Sequence, residues 1–340
     1  MRRRFLIKAL AAMAVVATLA LVGCGTDEQA KKNTVKLGVA GAHTGDLASY
    51  GIPAVNAANI VAEKVNAQGG VNGMMVEVMP MDEQCKPELA TNAATKLVTE
   101  HADVVLGHIC SGATKAALPI YKESELVCMS PSATNPPLTQ SGDYPNFFRT
   151  IASDDMQAAL NVDFAIQKLG LKKIAVLHDK GDYGKGFAEF AKKFVEESGK
   201  AEVILFEGIT PGAVDYSAVI QKVKNKGADG VIFGGYHPEA SKLVSSMRKK
   251  GLDIPFLSDD GVKDDTFIKV AGEYAEGVYA TGPMDLSKNE MYKQAVKEHQ
   301  QKYGSDPGPF YPQAYAAAQA LLNAIEKSDS TDYGKIVEVL

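Results

Sequence analysis

The stretch KIAVLHDKGDYGKGFAEFAKKFVEES, residues 173–198, starts with β-branched and apolar residues, continues through a glycine-rich polar loop and ends with apolar residues at helical spacing. A strand, a loop and a helix in this order form the repeating unit of parallel α/β folds. The strand is predicted at 173–178 and the helix at 184–198. A strand at 35–40 and a helix at about 53–68 open the chain in the same way. The pattern therefore begins twice, which indicates two similar halves.

Further strand and helix signals extend each half. In the first half, strands are predicted at 76–81, 103–109, 126–130 and 146–151, with helices at 88–101 and 113–124. In the second half, strands are predicted at 202–207, 229–233, 255–258 and 277–281, with helices at 216–226 and 238–250. Two last helices, at about 289–303 and 313–327, flank a Pro/Gly loop and should pack back on the first half.

We therefore predict the α/β class, with two doubly wound parallel-sheet lobes joined by a multi-strand hinge. Residues 34–152 plus 284–340 would form lobe 1, and residues 153–283 would form lobe 2. The chain would cross between the lobes near residues 151–153 and again near 282–284. More than one crossover favours a hinge with a defined axis.

The N-terminus is typical of an export signal. Four basic residues in the first eight precede an apolar run at 9–22, which is too short to cross ~30 Å of hydrocarbon. The run ends in Leu-Val-Gly-Cys, which resembles the lipobox of bacterial lipoproteins. Residues 1–23 are thus predicted to be a lipoprotein signal peptide, Cys24 the lipidated residue and 24–33 a tether. The alternative is an ordinary secretory signal in which Cys24 is incidental.

Charge and composition exclude some partners. Removal of residues 1–23 takes away four of the 36 basic residues and none of the 41 acidic ones, which leaves a formal net charge of −9. Nucleic acid is therefore not expected as a partner. No later stretch is apolar enough to span a membrane, so we expect membrane contact through the lipid anchor alone.

Three cysteines follow Cys24, in a chain expected to reach an oxidising compartment. Cys85 and Cys110 each come after a predicted strand in a polar loop, and we predict that they form a disulfide. Cys128 lies within an apolar run and is predicted to be a buried free thiol. The cysteine spacings match no zinc motif, and no metal is expected.

The loops after the strands are the expected ligand site, because open parallel sheets bind ligands beyond the carboxyl ends of their strands. In the first half, hydroxyl residues at helix starts suit a carboxylate. Ser111 and Thr134 are candidate donors together with the backbone at Ser132, although each is equally explained as a cap or turn residue. In the second half, Asp260 is a candidate acceptor for an ammonium group. Its neighbour Asp259 is an alternative, and both could be plain turn residues.

Four aromatic residues in or near these loops could form an apolar wall with polar handles. They are Tyr50, Tyr183, Tyr236 and Phe310. Taken singly, such aromatic residues belong more often to a core.

The chain resembles one family from residue 35 onward, the leucine/isoleucine/valine-binding proteins of the type I periplasmic binding fold. The matching motifs are GHICSGAT (107–114), SPSATNPPLTQ (130–140), HDKGDYGKG (178–186), GIT-G (208–212), GGYHPE (234–239) and GPF (308–310). The resemblance implies that Ser111, the Ser132 backbone and Thr134 meet the ligand carboxylate. It implies that Thr134 and Asp260 meet the ammonium, that the four aromatic residues line the pocket with Cys110 and Ala133 beside them, and that Cys85 pairs with Cys110.

Two features depart from this family. Leucine-type members place Glu at the position of Asp260, so this carboxylate is one methylene shorter and needs a closer approach or a bridging water. The chain also ends at Leu340, before the closing strands that the family adds to its lobes, so either the sequence is a fragment or those sheet edges are left open.

The resemblance implies an extracytoplasmic substrate-binding lipoprotein of an ABC importer, which closes on a branched-chain or related amino acid. Its partners would be permease subunits in the membrane, and a monomer without cofactor is expected. The alternatives are a ligand-sensing receptor module, or a binding protein for another amino acid or a small amide. No P-loop, H-E-x-x-H, G-x-S-x-G or dinucleotide fingerprint is present. His108 and Ser111 lie close together but lack an orienting carboxylate, so we do not expect an enzyme.

Overall fold

The computed structural model describes residues 33–340, and these form two five-stranded parallel sheets. The first sheet holds β1 (Thr34–Gly41), β2 (Met75–Asp82), β3 (Val104–Leu106), β4 (Val127–Ser130) and β5 (Phe147–Arg149), in the order β2-β1-β3-β4-β5. The second holds β6 (Lys173–His178), β7 (Glu202–Gly208), β8 (Gly230–Gly234), β9 (Phe256–Ser258) and β10 (Val278–Ala280), in the order β7-β6-β8-β9-β10. The two orders are identical, and the predicted fold class is confirmed.

Helices connect the strands and cover both sheets. Around the first sheet they are α1 (Ala48–Ala67), α2 (Pro87–Thr99), α3 (Ser111–Glu123) and α4 (Pro137–Gln140). Between and around the strands of the second sheet they are α5 (Asp154–Asp163), α6 (Asp182–Ser198), α7 (Ser217–Lys226), α8 (His237–Lys249) and α9 (Asp265–Ala271). The chain continues with α10 (Glu290–Tyr303), α11 (Tyr311–Ser328) and α12 (Tyr333–Val339).

Every predicted strand is present, but the helix predictions contain errors. The first helix was predicted to begin at Pro53, and instead α1 begins at Ala48 with Pro53 inside it. A proline near the start of a helix removes few backbone hydrogen bonds, because the first N–H groups of a helix have no partner within it. Proline can therefore lie several residues after the first residue of the helix. The preceding Gly51 permits the close packing of α1, because a Cβ there would lie 1.9 Å from the Ala42 carbonyl oxygen. The helices α4, α5, α9 and α12 were not predicted.

The core of the first sheet is apolar on both faces, as expected for buried parallel strands. Val35, Leu37 and Val39 of β1 are fully buried in one cluster with Ala-rich α11. Helix α11 packs on α1, β3 and β4, as expected for the C-terminal helices. We call the first sheet with the helices packed on it the first lobe, and the second sheet with its helices the second lobe.

The predicted disulfide is confirmed, because Cys85 and Cys110 are bonded with their Cα atoms 5.4 Å apart. It ties the end of β2 to the start of α3. Cys128 is a buried free cysteine, as predicted, and its thiol donates to the Gly107 carbonyl oxygen at 2.9 Å.

Loss of this disulfide should lower stability substantially. The bond closes a loop with a sequence separation of 25 residues, and such a loop stabilises a fold by about 3 to 4 kcal/mol in the chain-entropy model. We expect the variant with Cys85→Ser and Cys110→Ser to lose about this much free energy of unfolding, measured by urea denaturation. Cys128→Ala in the disulfide-intact protein, measured with and without reductant, is the control. Equal stability of the double variant and the oxidised wild type would contradict the prediction.

The predictions for the signal at 1–23, the lipidated Cys24 and nearly all of the tether fall outside the described residues. Within residues 33–340, none of the helices combines the length and the apolar character that crossing a bilayer requires.

Candidate functional site

The carboxyl ends of the strands of the two lobes face each other, and the lobes are in direct contact. Tyr50 of α1 donates a hydrogen bond to the Gly261 carbonyl oxygen of the second lobe at 2.7 Å. At the rim, Lys115 pairs with Asp182 at 2.6 Å, and the Asn135 amide donates to the Asp182 carbonyl oxygen at 2.5 Å. These hydrogen bonds and this ion pair join the two lobes across the crevice that lies beyond the carboxyl ends of both sets of strands. The structure is therefore a closed form.

A small cavity of about 10 Å³ lies within this crevice. Its lining residues are Tyr50, Ile109, Cys110, Ser132, Tyr183, Tyr236, Asp260, Gly261 and Phe310. A cleft of about 910 Å³ adjoins it at the rim and shares Cys110, Tyr183 and Tyr236 with it. A cavity this small holds no more than about one water, so a larger ligand needs the lobes to part.

The start of α3 offers an anion site on the first-lobe side. Cys110 occupies the N-cap without a side-chain hydrogen bond, so the first N–H groups of this 13-residue helix have no cap. Ser111 is buried, and its Oγ accepts from the Asn135 backbone N–H at 3.2 Å, which leaves the hydroxyl hydrogen free to donate. Helix N-termini with free donors bind carboxylates.

The loop after β4 brings Ser132, Ala133 and Thr134 to the same side. The Ser132 hydroxyl donates to the Ile109 carbonyl oxygen at 2.8 Å, and the Ser132 and Ala133 N–H groups both donate to Ser130 Oγ. The backbone that was expected to meet a ligand thus has an internal partner in this closed form. Thr134 differs, because its fully buried hydroxyl has no hydrogen-bond partner among residues 33–340.

Asp260 is the acidic residue of the second lobe that faces the cavity. Its Oδ1 accepts from the Tyr183 hydroxyl at 2.5 Å, and its Oδ2 finds no partner in the described part of the chain. Burial raises the pKa of Asp260 to about 6, against the lowering effect of the hydrogen bonds from Tyr183 and Gln157. Burial also raises the pKa of Tyr183 far above its usual value, so Tyr183 stays protonated and donates.

The side chain of the neighbouring Asp259 is hydrogen-bonded to the backbone. Its Oδ2 accepts from the Gly235 N–H at 3.0 Å, and burial raises its pKa well above the usual value. The geometry thus favours Asp260 over Asp259 as the acceptor for a ligand. The close approach of α6 to β8 supports this arrangement, because a Cβ at Gly184 would lie 2.3 Å from the Gly234 carbonyl oxygen.

The structure places the four aromatic residues together in the lining of the cavity. The ring centroids of Tyr183 and Tyr236 are 4.9 Å apart, those of Tyr50 and Phe310 5.8 Å, and those of Tyr50 and Tyr236 6.1 Å. One ring set thus combines residues from both lobes. It forms an apolar wall with hydroxyl groups at its edge.

Three further residues at this site were missed from the sequence. His237 Nδ1 lies 2.7 Å from the Tyr50 hydroxyl, and Asp154 and Gln157 lie at the start of α5 behind Asp260. The motif that holds His237 was recognised, but its contact crosses 187 residues of sequence. The polar run Ser-Asp-Asp at 153–155 is a helix-start signal that could have located α5.

His108 and Ser111 do not form a nucleophile and base pair. His108 Nε2 bonds the Tyr121 hydroxyl at 2.9 Å, and its Nδ1 faces Glu83 Oε1 at 3.9 Å. Neither ring nitrogen has Ser111 as a partner. Among residues 33–340, no cluster of His, Cys, Asp and Glu is arranged to hold a metal ion.

Comparison with known proteins gives a consistent result. Residues 34–340 match the family model described as periplasmic binding protein. The leucine-, isoleucine-, valine-, threonine- and alanine-binding protein of Pseudomonas aeruginosa is 36% identical, over 95% of this chain and 86% of that protein. The Leu/Ile/Val-binding protein of Escherichia coli K12 is 32% identical, over 91% of this chain and 84% of that protein.

A solved structure is also similar. The branched-chain amino acid transporter substrate-binding protein LivJ of Streptococcus pneumoniae, in complex with isoleucine, superposes with a TM-score of 0.80 at 29% identity, covering 90% of this chain and 87% of that one.

Proposed function

The chain belongs to the periplasmic binding proteins, and on that premise we propose that it captures a branched-chain amino acid between its two lobes for uptake by an ABC importer. The observation that carries the proposal is the pairing of two opposite subsites across the crevice. The uncapped start of α3 suits a carboxylate, and buried Asp260 suits an ammonium. A zwitterionic amino acid has these two groups on one carbon.

The residue roles follow from this placement. Ser111 and the α3 N-terminus bind the carboxylate, with the backbone at Ser132 turning to it once the lobes part. Thr134 and Asp260 bind the ammonium. The apolar side chain lies against the aromatic wall, with Cys110 and Ala133 beside it. No step of this scheme needs a reacting nucleophile, so the protein acts by binding and not as an enzyme.

Closure of the lobes completes the site. Residues 34–152 with 284–340 form the lobe that first receives the ligand, and residues 153–283 swing over it about the crossovers. The small cavity of the closed form means that an amino acid enters the open form and spreads the aromatic wall. Only the closed form then presents both lobes to the permease.

The setting outside the membrane follows from the N-terminal sequence. Residues 1–23 direct export, Cys24 carries the lipid anchor, and the protein works as a monomer on permease subunits. A ligand-sensing module with the same fold is the second candidate, and the lipobox favours the transporter. Permease and ATPase genes beside this one would support the importer, whereas an adjacent histidine kinase gene would contradict it.

A ligand panel tests the proposed function. We expect leucine, isoleucine or valine to give the largest rise in melting temperature among the twenty amino acids, urea and short amides, because the ligand binds only the folded state. At 100 times its Kd a ligand adds about 2.7 kcal/mol to the stability. Calorimetry then gives the affinity. No response to any member of the panel would refute the proposal, and a response to an amide alone would move it to that ligand class.

A further inference from the structure

One buried hydroxyl joins the two lobes. The Tyr50 hydroxyl, on α1 of the first lobe, lies 2.7 Å from His237 Nδ1 at the start of α8. It also lies 2.7 Å from the Gly261 carbonyl oxygen after β9, and both of these partners belong to the second lobe. We call His237, Tyr50 and Gly261 the cross-lobe bridge. Tyr50 and His237 are 2% and 3% exposed, so the hydrogen bonds of the bridge are shielded from water.

The directions of these hydrogen bonds follow from the number of hydrogen atoms. A phenol hydroxyl has one hydrogen, and it keeps this hydrogen because burial raises the pKa of Tyr50 well above its usual value. The Gly261 carbonyl oxygen can only accept, so it takes the hydrogen of the Tyr50 hydroxyl. His237 Nδ1 must then carry a hydrogen of its own and donate it to the Tyr50 oxygen. Both a neutral ring with its hydrogen on Nδ1 and a protonated ring satisfy this requirement.

The second-lobe partners of Tyr50 are held in place by their own lobe. The His237 carbonyl oxygen accepts from the buried Ser241 hydroxyl at 2.7 Å, one turn further along α8. The Gly261 N–H donates to the Tyr183 hydroxyl at 2.8 Å. A Cβ at Gly261 would lie 2.7 Å from the Gly235 carbonyl oxygen, so the backbone is closely packed there. The donor and the acceptor of the bridge are therefore preorganised for a hydroxyl that arrives from the first lobe.

Two other cross-lobe contacts lie at the rim and are less shielded. Lys115 and Asp182 form an ion pair whose side chains are 57% and 39% exposed, and exposed pairs of this kind contribute little. The bond from the Asn135 amide to the Asp182 carbonyl oxygen is only partly buried. His237 also lines neither the small cavity nor the rim cleft. A change of the His237 ring therefore acts on the bridge and not on the lining of the ligand site.

We propose that His237 is a positioning residue that holds the two lobes closed by donating a hydrogen bond to Tyr50. The assignment rests on the proposed function, and it adds a residue that stabilises the closed form from behind the ligand site. The bridge forms only when the lobes meet, so its loss should speed ligand dissociation and leave association unchanged. Because His237 does not line the cavity, its loss should weaken different amino acids by the same factor.

Four variants test the bridge with L-leucine and L-valine as ligands. His237→Leu removes the donor and should weaken both ligands equally, by about 2- to 13-fold, the effect of one hydrogen bond. His237→Asn keeps an N–H on Cγ, where the histidine has Nδ1, and should restore most of the affinity. Tyr50→Phe keeps the ring without its hydroxyl, and the double variant with His237→Leu should show no further loss. His101→Asn, an exposed change in the first lobe, is the control and should bind as the wild type does.

Calorimetry gives the affinities, and stopped-flow kinetics gives the two rates. Equal losses in His237→Leu and His237→Asn would show that the ring only packs, and would overturn the inference. Additive losses in the double variant, or unequal losses for leucine and valine, would overturn it as well. If His237→Leu does not fold, Tyr50→Phe decides, because an unchanged dissociation rate in that variant contradicts the bridge.

Failure of the proposed function gives a different result. A wild type that binds neither amino acid would overturn the proposed function alone. The bridge is then tested by small-angle X-ray scattering, which measures how far the lobes part without any ligand. Tyr50→Phe should have a larger radius of gyration than the wild type, and equal radii would overturn the inference.

Discussion

Asp260→Asn is expected to weaken leucine binding by about 150- to 5,000-fold. The carboxylate is buried and would face the ligand ammonium, and removal of one partner of a buried charge pair leaves the other uncompensated, at a cost of about 3 to 5 kcal/mol. The asparagine keeps the shape and can still accept from Tyr183. The loss of leucine affinity therefore reflects the loss of the negative charge. Isothermal titration calorimetry measures this affinity.

Three other variants make this result specific. Asp265→Asn removes an exposed carboxylate five residues further along and should bind as the wild type does. Asp259→Asn keeps an oxygen for the Gly235 N–H and should lose far less than Asp260→Asn. Asp260→Glu restores the charge with the longer side chain of the leucine-type relatives and should recover part of the affinity. If Asp259→Asn abolishes binding and Asp260→Asn does not, the ammonium site belongs to Asp259.

Local patterns were enough to predict the layers of the fold. The strands β1 and β6 are short, mainly apolar segments followed by glycine-rich loops, and this pattern depends only on nearby residues. Helix α5 was missed because it has little apolar periodicity, with Met156 and Leu160 exposed and the polar Asp154 and Gln157 buried. Burial of those two polar side chains is a property of the crevice, which sequence periodicity does not report.

The candidate site was predictable in part for a similar reason. Loops after parallel strands meet at one sheet edge, so Ser111, Thr134 and Asp260 could be named before their contacts were known. The contacts across the crevice could not be predicted, because they join residues that are distant in sequence. The hydrogen bond from Tyr50 to Gly261, for example, joins residues 211 positions apart. Choosing Asp260 over Asp259 needed the backbone geometry at Gly235. Two adjacent aspartates are equivalent in sequence, and only the turn decides which one faces the cavity.

Ligand affinity and ligand-free stability should respond to pH in opposite directions. Burial raises the pKa of Asp260 to about 6, and Asp154, Asp259 and Tyr183, the titratable groups that face it, are raised as well. Below about pH 6 the Asp260 carboxyl is increasingly protonated, and the ligand ammonium loses its counter-charge. We expect the affinity for leucine to fall by up to about tenfold per pH unit below this value. Calorimetry between pH 8 and pH 5 measures the change.

The stability of the ligand-free protein should change the other way. A carboxyl whose pKa is higher in the folded than in the unfolded state, here about 6 against 3.8, stabilises the fold fully below about pH 4. That contribution is lost as the pH rises through about 6, and it amounts to about 3 kcal/mol for Asp260. Asp260→Asn should remove this part of the pH dependence in urea denaturation, because an amide does not titrate. If the stabilities of the wild type and the variant change in parallel from pH 4 to pH 8, burial does not raise the pKa of Asp260. The physical reason for the predicted loss of leucine affinity in acid would then be wrong.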